Sequence, residues 1–295
     1  MIRLGLGLAT LATACGTPSA QHPSSVSAPL SLAADAQMLA VPGGKFVAGS
    51  TPEERTAAYD DYMATAGKDT ARDNKWFETE EDRHLADVAA FRIDLMPVTQ
   101  GQYAEFVAAG GAPAPTMDAA TWQQLGFTQD FATQVARYAW ADNAPPPTRV
   151  EHPVVLVSYP DADKYCRWRG EQRGEPRRLP TAREYEKAVR GDGGLVYPWG
   201  NAYEPDKLDS AVKGPGDTVP VGQYVSGASP YGVLDLAGNV YAWTSTPFGD
   251  GKMTVKGSAW EDYGGVGRGA SRHGRAPSVR HVIIGFRCAA AATPE

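Results

Sequence analysis

Cysteine is scarce here, with three in 295 residues, at Cys15, Cys166 and Cys288. Long apolar runs are lacking too. The stretch Leu4 to Leu11, broken by Gly and Thr, falls well short of the roughly 20 apolar residues that cross a bilayer. The five histidines, His22, His84, His152, His273 and His281, show no HxxxH or HExxH spacing, which argues against a helix-borne transition-metal site. Gly191-Asp192-Gly193-Gly194 lacks the lysine and following helix of a phosphate loop, and no Gly-x-Ser-x-Gly nucleophile motif occurs. There is no basic surplus either. A formal net charge of −6 argues against a nucleic-acid or anionic-lipid surface, and no nucleic-acid partner is expected. The body contains no low-complexity tract, internal repeat or second linker, so one domain is the simplest organisation.

What is abundant is punctuation and aromatic surface. Gly 32 and Pro 23 predict short elements joined by many ordered turns, and 7 Trp with 13 Tyr supply large anchors for a loop-rich core.

The first 14 residues read as a signal peptide: Arg3, a short apolar stretch, then the small residues Ala12-Thr13-Ala14 before Cys15. Leu11-Ala12-Thr13-Ala14-Cys15 resembles a bacterial lipobox with its leucine one place early, which favours cleavage and lipidation at Cys15. Ordinary signal cleavage at the same place is the alternative. Residues 15–37 would then be the lipidated cysteine and a Ser-, Pro- and Ala-rich tether holding the protein to the membrane. No aspartate follows Cys15 as a retention signal, so the expected destination is the periplasmic face of the outer membrane. With Cys15 acylated, Cys166 and Cys288 form an even pair in an oxidising compartment. That favours a disulfide over two buried free thiols.

The folded body is expected over residues 38–290, with 291–295 as a tail. Residues 38–41 and 45–49 read as two short strands around a tight Pro-Gly-Gly turn. Residues 51–84 look like an exposed, helix-compatible excursion, and Val88 to Ile93 like a strand. Thr99-Gln100-Gly101-Gln102 and Thr181-Ala182-Arg183-Glu184 are capping boxes that open helices, and a third helix starts near Ser158. A helix is expected near Phe127 to Ala139, and the apolar run 153–157 reads as a buried strand.

An ordered set of segments resembles the formylglycine-generating enzyme (sulfatase-modifying factor) family. It includes Val41-Pro42-Gly43-Gly44-Lys45-Phe46, Met96-Pro97-Val98-Thr99, His152-Pro153-Val154-Val155, Tyr165-Cys166-Arg167-Trp168 and Arg178-Leu179-Pro180-Thr181. Tyr197-Pro198-Trp199-Gly200-Asn201, Gly238-Asn239-Val240, Gly257-Ser258-Ala259-Trp260 and Gly285-Phe286-Arg287-Cys288 complete it. Any one segment would be weak, whereas the ordered set is specific. The resemblance implies an α+β variant of the C-type lectin fold, with small twisted antiparallel sheets, a few helices and long ordered loops. It also implies that Cys166 and Cys288 match a family disulfide.

The family's oxidases bind copper(I) through two cysteines just after the Gly-Ser segment. In this chain Glu261 stands at the first of those positions and Val266 or a neighbour at the second. A carboxylate is a hard ligand and suits copper(I) poorly, and thiol exchange needs a thiol. Copper is therefore not expected, and formylglycine formation is the least favoured activity. Two readings remain. One is a binding or cell-envelope module for a protein or glycan partner. The other is an oxidoreductase resembling the relatives that mature the pyoverdine chromophore. In that case Glu261 would act as base beside Ser258, with Trp260, Arg272 and His273 lining the pocket. The alternative for Glu261 is a solvated loop carboxylate. The resemblance also implies calcium at Asp235, Gly238 and Val240, with Asp209 and Asp217 at a second family site. The family glutamate of the first site is Ala242 here, and a plain Asx-type turn explains the same residues.

Overall fold

Four capping boxes set where the longer helices begin in the computed structural model, which describes residues 37–127 and 130–292. Thr51 and Glu54 open α1 (Pro52–Ala66), and Thr99 and Gln102 open α3 (Gln100–Ala108). Ser158 and Asp161 open α5 (Tyr159–Arg173), and Thr181 and Glu184 open α6 (Ala182–Arg190). In each, the hydroxyl accepts from a main-chain N–H one turn ahead while the acidic or amide side chain reaches back to the cap N–H, so two orphan donors are satisfied together. Short helices α2 (Thr70–Asp73) and α4 (Ala119–Gln124) add single turns. The described residues all belong to one compact unit, Leu32–Glu295. The signal peptide, Cys15 and most of the tether lie outside them, as do residues 293–295.

Among the described residues ten short strands make three small sheets. β1 (Met38–Val41), β4 (Phe91–Asp94), β10 (Ala289–Ala291) and β5 (Arg177–Arg178) form one, in that order. β2 (Gly44–Ala48) and β3 (His84–Val88) form a second. β8 (His273–Arg275), β7 (Lys252–Lys256), β6 (Tyr241–Gly249) and β9 (Ile284–Gly285) form the third. The pairings are antiparallel except β6 with β9.

The α+β expectation holds, but several local readings are corrected. β1 and β2 are not a hairpin: each pairs with a later strand, in a different sheet. The strand expected over 88–93 is split by Ala89-Ala90, because Val88 and Phe91 serve those two sheets. The run 153–157 is fully buried yet forms no regular strand. Leu156 adopts φ 59°, which breaks the ladder, and the N–H groups of Val154 and Leu156 donate to Val98 and His281 instead. The expected helix near 127–139 is a π-helical turn, Phe131–Val135, continued by the 3₁₀ turn Ala136–Tyr138. The 51–84 excursion is not merely exposed, since Ala58, Tyr59, Tyr62, Ala71 and Phe77 enter the main core.

That core is aromatic. Tyr103 of α3 stacks on Tyr165 of α5 at 5.6 Å between ring centres, and Phe106, Trp140 and Phe286 meet Tyr103 edge-on. Each such pair adds about 0.5–1.5 kcal/mol beyond its buried area. The Cys166–Cys288 disulfide ties α5 to the chain entering β10, with its Cα atoms 5.5 Å apart. Among the described residues no helix is long and apolar enough to cross a membrane.

Candidate functional site

The site is built on the turn that follows β7. Gly257 has φ 87°, and a Cβ there would press on the Tyr185 hydroxyl at 2.8 Å, so glycine alone suits the bend. Ser258 is buried, and its Oγ accepts from the Gly238 N–H at 2.8 Å. It therefore clamps this turn to the 235–240 turn, as does the Trp260 N–H donating to the Asn239 carbonyl at 3.0 Å. Asp262 closes the turn on itself: its Oδ2 accepts from the Ala259 N–H at 2.7 Å.

The Asp262 carboxyl also bonds the phenol of Tyr241, the first residue of β6. Burial raises the Asp262 pKa to about 7, and the neighbouring Glu261 adds to the rise. The Tyr241 phenol is pushed well up by the same burial. The ring of His273 stands edge-on to Tyr241 at 5.5 Å, with Nε2 3.4 Å from Ser271 Oγ. Burial, reinforced by Arg275, holds His273 down to about 3, so its imidazole is neutral at ordinary pH. Asp262 and Tyr241 share a hydrogen bond beside the neutral ring of His273, with Glu261 acting on the carboxyl electrostatically.

Ser258, Trp260, Glu261 and His273 are thus gathered around one turn. Arg272 is engaged elsewhere: its Nη1 lies 3.3 Å from Glu81, and its guanidinium sits 4.9 Å over Phe248. Val266 is fully buried. Asp262 and Tyr241 escaped sequence reasoning. The signal present was a carboxylate three residues after Ala259, where it can reach back to that residue's N–H.

Glycine makes the next loop possible. Gly264 donates to Thr65 Oγ1 at 2.9 Å, and a Cβ on Gly265 (φ 81°) would collide with the Ala58 carbonyl of α1. The loop is locked to the excursion by the buried Arg268–Glu80 ion pair and by Arg268 over Phe77 at 4.7 Å.

The calcium expectation can be set against the oxygens present. Asp235 Oδ2 accepts from the Gly222 N–H at 2.7 Å, and the Asp235 carbonyl accepts from Arg287 Nη2 at 2.7 Å. Asp217 is gripped by the Arg149 guanidinium and accepts from the Tyr138 hydroxyl at 2.6 Å and the Thr218 N–H at 2.7 Å. Asp209 differs: it is buried and neither carboxylate oxygen has a partner. Burial raises its pKa to about 8, with Asp235 and Asp217 adding to the rise. An orphaned pair of hard oxygens fits a hard cation, and of Asp209, Asp217 and Asp235 only Asp209 has both carboxylate oxygens without a hydrogen-bond partner. Asn239 N–H binds the Asp209 carbonyl, which joins this residue to the 235–240 turn.

The family model for the sulfatase-modifying factor enzyme 1-like domain matches residues 25–292. The chain belongs to this family. It is 30% identical over 301 residues to a mouse (Mus musculus) protein named inactive C-alpha-formylglycine-generating enzyme 2, covering 88% of this chain and 87% of that one. It is also 30% identical to the hercynine oxygenase of Mycobacterium tuberculosis, covering 76% of this chain and 58% of the relative. Among solved structures, PvdO from Pseudomonas aeruginosa superposes with a TM-score of 0.63 at 23% identity, covering 86% of this chain and 94% of that one. The superposition shows a shared fold. Within the sulfatase-modifying factor fold, the Gly257–Tyr263 turn carries Glu261 where the resemblance puts the first copper-binding cysteine.

Proposed function

We propose that this chain is a recognition member of the sulfatase-modifying factor family that has given up thiol–copper chemistry and serves at the cell envelope, binding a protein or glycan. One observation carries the reading: among the described residues the only cysteines, Cys166 and Cys288, are bonded to each other, and where the resemblance puts the copper-binding pair stand Glu261 and Val266 or a neighbour. The relative named as inactive supports it. The test is incubation of the purified protein with a Cys-x-Pro-x-Arg peptide and copper. No aldehyde is expected, and aldehyde formation overturns the reading. Anchoring through Cys15 rests on the sequence motif. Acyl chains on Cys15 in the intact mass of the membrane fraction would support it, and an unmodified thiol would end it.

Calcium held by Asp209, with main-chain oxygens of the 235–240 turn, would stiffen the site rather than react. A rise in melting temperature with calcium that Asp209→Ala abolishes is the expected result, and an unchanged wild-type melt removes the ion from the account.

A second reading, oxidation of another substrate, is favoured by the Asp262–Tyr241 pair beside Glu261 and by the relatives named hercynine oxygenase. Its test compares envelope extracts of cells carrying wild type or Glu261→Gln. A product mass present only with wild type supports it, and identical extracts dismiss it.

A further inference from the structure

We infer that Trp260 and Arg137, stacked beside the Gly257–Tyr263 turn, form a subsite for a carboxylate group. This rests on the recognition reading and names the ligand chemistry of that site. Trp260 is only 6% exposed, yet its indole N–H has no hydrogen-bond partner. The Arg137 guanidinium lies 5.6 Å from the Trp260 ring centre, and its Nε is likewise buried without a partner. The outer nitrogens of Arg137 are anchored, one donating to the Gly216 carbonyl at 3.1 Å and the other 3.3 Å from Asp217.

These anchors orient the guanidinium without satisfying it. Two unmet N–H donors on adjacent side chains are an uncompensated desolvation cost, which a ligand bringing acceptor oxygens removes. The local charge points the same way. Arg137 and Arg149 share the single carboxylate of Asp217, and both guanidinium groups lie over the Tyr138 ring, at 5.0 and 4.7 Å. Within this cluster the guanidinium groups outnumber the carboxylate by one. A carboxylate offers two coplanar oxygens to a planar guanidinium and carries one negative charge. Glu261, next to Trp260, opposes any anion, and a doubly charged phosphate more than a singly charged carboxylate.

The test uses the folded protein with N-acetyl-alanyl-alanine, the same dipeptide as its C-terminal amide, and glucuronate. Binding is followed by calorimetry and by the Trp260 indole proton, assigned with Trp260→Phe. Saturable binding of the free acid or of glucuronate, with a shifted Trp260 indole signal, is expected. The amide should not bind. The dipeptide binding better assigns a peptide source, and glucuronate binding better assigns an acidic glycan. Trp260→Phe, which keeps an aromatic ring but removes the N–H, and Arg137→Lys, which keeps the charge, should each weaken binding about tenfold in protein that is still folded at the assay temperature. Absence of binding by wild type, or wild-type affinity in both variants, overturns the subsite. If that happens while the peptide–copper assay still yields no aldehyde, the thiol-free reading stands and only the ligand class falls.

Discussion

At the scale of single residues, Asp262 is where burial and chemistry meet. Its carboxyl is raised to about 7 in the fold, against an ordinary value of 3.8, so the folded chain holds this proton more tightly than the unfolded one. Its contribution to stability is therefore fully present below about pH 4 and is lost as pH rises through about 7. A fall in the wild-type denaturation midpoint between pH 5 and 7 is expected, and Asp262→Asn should flatten it, as read by urea titration at several pH values. Equal slopes in the two proteins would mean that Asp262 does not titrate in this window. The neutrality of His273 and the clamp made by Ser258 belong to the same scale. Both residues were legible as polar candidates, but Ser258 Oγ is spent on the Gly238 N–H, which only the approach of two turns distant in sequence could reveal.

At the scale of elements, the 51–84 excursion is the feature that most alters the picture drawn from sequence. Charge along α1 suggests a solvated helix, yet Tyr59 and Tyr62 turn inward and Arg268 reaches back to Glu80. Glu80→Ala leaves Arg268 buried without its counter-ion, a loss of about 3–5 kcal/mol. It should also speed proteolysis within 51–84, measured against wild type by limited digestion. Gly265→Ala drives a methyl group into the Ala58 carbonyl and forces a left-handed backbone on alanine, so it too should loosen this excursion. A lower melting temperature is expected, with α1 amides exchanging sooner with deuterium. The helices with capping boxes at Thr99 and Thr181 were readable because a cap is a local exchange of hydrogen bonds within four residues. The run 153–157 was not, because hydrophobicity reports burial and leaves the ladder partner open.

At the scale of the whole molecule, the disulfide closes a separation of 122 residues between α5 and β10. Replacing both partners, Cys166→Ser with Cys288→Ser, should cost about 4–5 kcal/mol in the chain-entropy model, measured by chemical denaturation. A much smaller loss would indicate that the aromatic core alone holds the two elements together. Family membership is likewise a property of the whole chain, since the match runs over residues 25–292 and no single segment would suffice.

By itself, the sequence determined the fold class, the helix starts, the pairing partners available to sulfur, and the absence of a thiol where the family's oxidases carry two. These are matters of residue identity and of bonding within a few positions along the chain. Tertiary structure alone decided that Ser258 Oγ meets the Gly238 N–H while Asp262 meets the Tyr241 phenol, that both carboxylate oxygens of Asp209 are left without a partner, and that Arg137 lies over Trp260. Each depends on which polar atoms meet, and which are left unpartnered, once distant segments have packed, and that balance is struck only when water has been expelled from between them.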